Sequence, residues 1–98
     1  MKRFLGVDLG GTNIKYAVIE IDGTSIKEVL KDQISTEAKN GPDHVTDRIA
    51  TLIKKIDSEM PIVGVAVAVP GILITTAARF YFSQIFRALG RTIHLRKN

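Results

Sequence analysis

Residues Phe4–Lys15 read FLGVDLGGTNIK, and the fold depends on how this stretch is parsed. Phe4, Leu5, Val7 and Leu9 are apolar, which predicts a strand over 3–9. Gly10-Gly11 is a strong turn signal, and the next stretch, IKYAVIEI at 14–21, predicts a second strand. The glycines therefore join strand to strand rather than strand to helix. In a strand Asp8 shares a face with Phe4 and Gly6, where a carboxylate without a partner is costly to bury. At the strand's end it can instead face a cleft.

The chemistry around Asp8 gives that cleft a character. Glycines let a backbone approach a ligand closely, and their N–H groups can point at phosphate oxygens. Thr12 and Asn13 add hydrogen-bonding groups, and Lys15 adds a cation. An acid repels phosphate, but it can hold a hydrated Mg²⁺ that bridges to one. The combination makes sense as a corner for Mg-nucleotide. Two other phosphate patterns, G-x-x-x-x-G-K-S/T and G-x-G-x-x-G, are not present. The plainer alternative is a hairpin closure, with Asp8 bonding the backbone and Lys15 solvated.

Outward from this stretch, Asp22-Gly23 is a second hairpin signal, and IKEVLKDQIS at 26–35 predicts a third, more polar strand at an edge. The first three strands form an antiparallel meander. Val45, Ile49, Leu52, Ile53 and Ile56 fall on one helical face and predict a helix over 43–58, closed by Pro61. IVGVAVAV at 62–69 predicts a strand buried on both faces, bounded by Pro61 and Pro70-Gly71. The expected class is α/β, a mixed sheet in the order β-β-β-α-β.

The 98 residues allow one domain at most. A hydrophobic share of 45% with 24% charged residues fits a globular chain. No apolar run is long enough to span a membrane, no signal peptide is recognisable, and a cytoplasmic location is expected. With no cysteine there is neither a disulfide nor a thiolate metal site, and His44 and His94 are too far apart in sequence to suggest a metal pair. The net charge of +4 is unevenly spread. All ten acids lie in residues 1–70, whereas residues 71–98 carry five basic residues and four of the six aromatics.

The string GVDLGGTNIK, followed by YAVIEIDG and later by VGVAVAVPG, resembles the sugar kinases of the ROK family, glucokinase-like members of the actin-like, hexokinase-like ATPase superfamily. The resemblance covers about residues 3–73, read as part of the N-terminal ATPase lobe. It implies that the D-x-G-G-T-N/K-x-K/R turn is the first phosphate motif. Asp8 would position Mg²⁺, Gly10, Gly11, Thr12 and Asn13 would line the phosphate path of ATP, and Lys15 would lie near the transferred phosphate or support the turn. Pro70 and Gly71 would sit on the sugar side, an ordinary Pro-Gly turn being the equal alternative. The implied reaction is transfer of the ATP γ-phosphoryl group to a sugar hydroxyl, with a carboxylate as base. That base lies in an E-N-D-A-like segment in the family, and these 98 residues contain no such segment. A non-catalytic nucleotide-binding fragment is therefore the alternative function. A repressor-like sugar sensor of the same family is disfavoured, because the chain starts just before the first strand. Self-association of an uncovered lobe is also expected.

Residues 74–98 depart from the family pattern. Thr76 can cap a helix over 77–89 whose apolar face carries Phe82, Ile85, Phe86 and Leu89. A basic amphipathic helix for a membrane or nucleic acid is less favoured than simple packing. The third reading is a frame shift. One choice of synonymous codons for Ile74–Arg91, read one nucleotide out of step, encodes DNNSGKILLFSNIPGSGK, which restores the family's aspartate after PGI and its N-I-P-G segment.

Overall fold

The computed structural model describes residues 1–69 and the backbone of 72–75. Five strands, β1 (Lys2–Leu9), β2 (Asn13–Asp22), β3 (Ser25–Ser35), β4 (Gly64–Val69) and β5 (Ile72–Thr75), form one sheet in the order β3-β2-β1-β4-β5. A 3₁₀ turn (Ala38–Asn40) and helix α1 (Pro42–Glu59) connect β3 to β4. The first three strands pair antiparallel, β4 runs parallel to β1, and β5 returns antiparallel along β4. The expected α/β fold with its mixed sheet and antiparallel meander is what forms. The 3₁₀ turn and β5 are additions to the expected order.

Strand alternation sorts the side chains. Leu5 and Val7 of β1 with Ile14, Tyr16 and Val18 of β2 form one buried face, covered by Leu52 and Ile56 of α1. Ile49 and Ile53 pack at the edge of this cluster. Each large apolar side chain closed off in this way contributes about 1.5–3 kcal/mol. On the opposite face Phe4, Ala17, Ile19 and Ala66 are also buried, so the centre of the sheet is closed on both sides. Polar β3 lies at the edge, as its composition suggests.

β4 differs from expectation at two points. It begins at Gly64 rather than at residue 62. The Ile62 amide donates back to the Asp57 carboxylate of α1 at 3.0 Å, and the Val63 amide reaches the Arg3 carbonyl of β1 at 2.9 Å just ahead of the strand, so the pair leads from α1 into β4. It is also closed on one face only: Gly64, Ala66 and Ala68 are buried, while Val65, Val67 and Val69 stay half-exposed on the α1 side. The helix over 77–89 and the Pro70-Gly71 turn lie outside the described residues.

Candidate functional site

The end of β1 is where the chemistry gathers. Asp8 is only 7% exposed, and its Cα partners are Lys15 on β2 and Ala68 on β4. Lys15 in turn faces Gln33 on β3. Gln33, Lys15, Asp8 and Ala68 thus form one row across four strands, on the face away from α1. Directly opposed residues on a sheet have Cβ atoms about 4.5–5.5 Å apart, so Asp8 and the exposed Lys15 leave the sheet as cross-strand neighbours.

The row ends against the Gly10–Asn13 turn. The Gly10 amide donates to the Asn13 carbonyl at 3.0 Å and closes it. A Cβ on Gly10 would sit 2.8 Å from that carbonyl oxygen, so the closure demands glycine. Gly11 is different: a Cβ there meets nothing within 4 Å, and its φ is not positive. Gly11 and Thr12 are exposed at the tip, and Asn13 is half-buried at the start of β2. Among the described residues the N–H groups of Gly11 and Thr12 make no hydrogen bond.

Asp8, Gly10, Gly11, Thr12, Asn13 and Lys15 are therefore brought together within one hairpin. Pro70 and Gly71 lie outside the described residues, just after the end of the strand that neighbours Asp8. The spacing of the motif did not disclose Thr36. It is 2% exposed, its hydroxyl donates to the Gly10 carbonyl at 2.8 Å, and its amide donates to the Thr12 carbonyl at 2.8 Å. The only sequence signal is its place just past β3, the strand paired with the first residue of the motif's second arm.

Beside Thr36, Glu37 adopts a left-handed φ of 55°. Its Oε1 accepts from His44 Nε2 at 2.7 Å and lies 3.5 Å from Arg48 Nη1. The bond from His44, reinforced by the Arg48 charge, holds the Glu37 carboxyl below its ordinary range. On the α1 side of the turn a mostly apolar cleft of about 680 Å³ opens, lined by Leu9, Gly11, Val45, Ile49, Val67 and Val69 among others.

Among the described residues no three His, Cys, Asp or Glu side chains cluster in a way that would enclose a metal. Asp8 is the one carboxylate of the Gln33, Lys15, Asp8 and Ala68 row, so a cation held there would draw most of its ligands from water or ligand oxygens. That donor set suits Mg²⁺, which keeps several waters and is commonly held by one or two carboxylates plus phosphates. No helix of the described residues is long and apolar enough to cross a membrane.

A mixed sheet of this order, with one helix packed on a face, defines an α/β fold. Two solved Aquifex aeolicus structures share the fold: a Ppx/GppA family member and the type II variant of the Ppx/GppA phosphatase. Both have a TM-score of 0.52, with 18% and 17% sequence identity. The alignments cover 67% and 68% of this chain and 25% and 26% of theirs. The ROK family model matches residues 4–89, past the point where the motif resemblance fades, and the chain belongs to the ROK family. It is 37% identical over 65 residues to a glucokinase of Thermotoga maritima, covering 64% of this chain and 20% of the glucokinase. It is 29% identical over 83 residues to an uncharacterized protein of Clostridium perfringens, covering 85% of this chain and 27% of the relative. The match thus spans 20–27% of the length of these curated relatives.

Proposed function

We propose that this chain carries the phosphate and Mg²⁺ corner of an ATP-dependent sugar kinase. The observation that carries the reading is the assembly of a largely buried Asp8, opposed by Lys15, against a glycine turn with two unbonded N–H groups. Membership of the ROK family and similarity to a glucokinase support it. Asp8 would hold Mg²⁺ through water, and the Gly11 and Thr12 amides would receive phosphate oxygens. Asn13 would flank that path and Lys15 would neutralise charge from the second strand. Pro70 and Gly71 would face the sugar. Bound Mg²⁺ supplies charge neutralisation on the transferred phosphoryl group. The chain's own residues orient the phosphates, and donors fixed before the ligand arrives need no reorganisation.

Phosphoryl transfer also needs a carboxylate to accept the hydroxyl proton, and these 98 residues contain no E-N-D-A-like segment to provide it. This favours a second reading for the chain taken alone, a nucleotide-binding part without turnover. The test is calorimetric titration with Mg-ATP, paired with a glucose phosphorylation assay. The expected result is saturable, magnesium-dependent binding that Asp8→Asn abolishes, and no sugar phosphate formed. Binding that is indifferent to both magnesium and Asp8→Asn would sink the reading. Turnover that vanishes in Asp8→Ala would establish a complete site instead of half of one.

A further inference from the structure

Three of the four carbonyls of the first turn are occupied from within. The Asn13 carbonyl takes the Gly10 amide, the Gly10 carbonyl takes the Thr36 hydroxyl, and the Thr12 carbonyl takes the Thr36 amide. Two of these three bonds come from one buried residue, 26 positions away from Gly10 in sequence. A carbonyl turned toward a phosphate would repel it, so what removes carbonyls from the tip matters as much as what supplies N–H groups.

Thr36 is itself held on both sides by α1. The Ser35 carbonyl before it accepts from Arg48 Nε at 2.9 Å. The Glu37 carboxylate after it meets His44 and Arg48. Glu37 also sits in a left-handed conformation that a residue with a Cβ adopts only at a cost, and such strain persists where surrounding contacts impose it. Two adjoining residues are thus tied to one helix, and the residue between them is tied to the turn.

We propose that Thr36 is the positioning residue of this turn. It draws the Gly10 and Thr12 carbonyls inward and leaves the Gly11 and Thr12 amides for an anion, while α1 fixes Thr36 through Ser35 and Glu37. Thr36 touches no ligand and acts only through the turn. The inference rests on the nucleotide-phosphate reading of the site.

The test compares Thr36→Val, which keeps the shape and loses the hydroxyl, with Thr36→Ser, which keeps the hydroxyl. Two quantities are measured on the full chain: Mg-ADP affinity, and backbone ¹⁵N order parameters at Gly11 and Thr12 without ligand. Thr36→Val weakens Mg-ADP about fivefold, as expected for one lost hydrogen bond, and lowers both order parameters. Thr36→Ser restores both readouts, which a merely volume-filling role would not do. Arg48→Met leaves Thr36 intact but frees Ser35, and it produces the same changes on a smaller scale, about twofold in affinity. Unchanged affinity and unchanged order parameters in Thr36→Val and Arg48→Met overturn this proposal alone. A wild-type chain that does not bind Mg-ADP overturns the nucleotide reading, and the proposal with it.

Discussion

Gly23, in the β2–β3 turn, has a φ of +60°, whereas neither Gly10 nor Gly11 in the β1–β2 turn has a positive φ. The second turn needs glycine for the ordinary reason, a left-handed backbone. It lies among exposed residues from Asp22 to Glu28, and no described side chain hydrogen-bonds to it. The first turn needs Gly10 for want of space and does not need Gly11 for folding at all. It also borders a buried acid and is clamped from behind by Thr36. Two hairpin loops in one meander thus differ in kind. One is shaped by what the chain must do to reverse direction, the other by what it must leave open.

Single substitutions sharpen that difference. Gly10→Ala has the largest effect on the fold, because its Cβ would press on the Asn13 carbonyl. The expected loss is about 1–3 kcal/mol in urea unfolding, the usual cost of overpacking. Gly23→Ala costs about 1–2 kcal/mol through its left-handed φ and leaves Mg-ADP affinity unchanged. Gly11→Ala inverts the pattern. Stability stays level or rises by up to about 1 kcal/mol, because the unfolded chain loses freedom, while Mg-ADP affinity falls several-fold. A Gly11→Ala chain that binds normally would erase the distinction between the turns.

The smallest expected effect is a pH dependence at the clamp. The bond from His44, then the charge of Arg48, lowers the Glu37 pKa in the folded chain. A carboxyl depressed on folding contributes stability that is full above its unfolded value, 4.5, and is lost as pH falls through the folded value. Thermal unfolding followed downward from about pH 6 therefore shows a component lost below 4.5, and Glu37→Gln removes that component. A Glu37→Gln profile that parallels wild type would show that the contact contributes nothing. Because Glu37 is exposed, its contribution is small compared with the glycine effects.

The meander, α1 and β4 were legible because their signals are local: two glycine turns, one helical period and one β-branched run. The site's own string was legible for the same reason, since Asp8 to Lys15 are contiguous and the hairpin simply folds them together. Thr36 was not, because its role is a contact between segments far apart in sequence, and one hydroxyl at a strand end has no periodicity. The 3₁₀ turn followed from the left-handed Glu37, which no propensity favours. Ile62 and Val63 were read as strand because apolar character alone does not say where the ladder starts: the Ile62 amide bonds back to Asp57 of α1, and Val63 makes a single bond to Arg3 of β1 ahead of the paired residues.

The central claim is that the first turn is an anion site and the second is only a turn. Titration of the ¹⁵N-labelled chain with Mg-ADP compares the amides of Gly11 and Thr12 with that of Gly23 in the same sample. The predicted result is a saturable, magnesium-dependent shift at Gly11 and Thr12, lost in Asp8→Asn, with Gly23 unmoved. Equal shifts at the two turns, or none at Gly11 and Thr12 at saturating Mg-ADP, would contradict it.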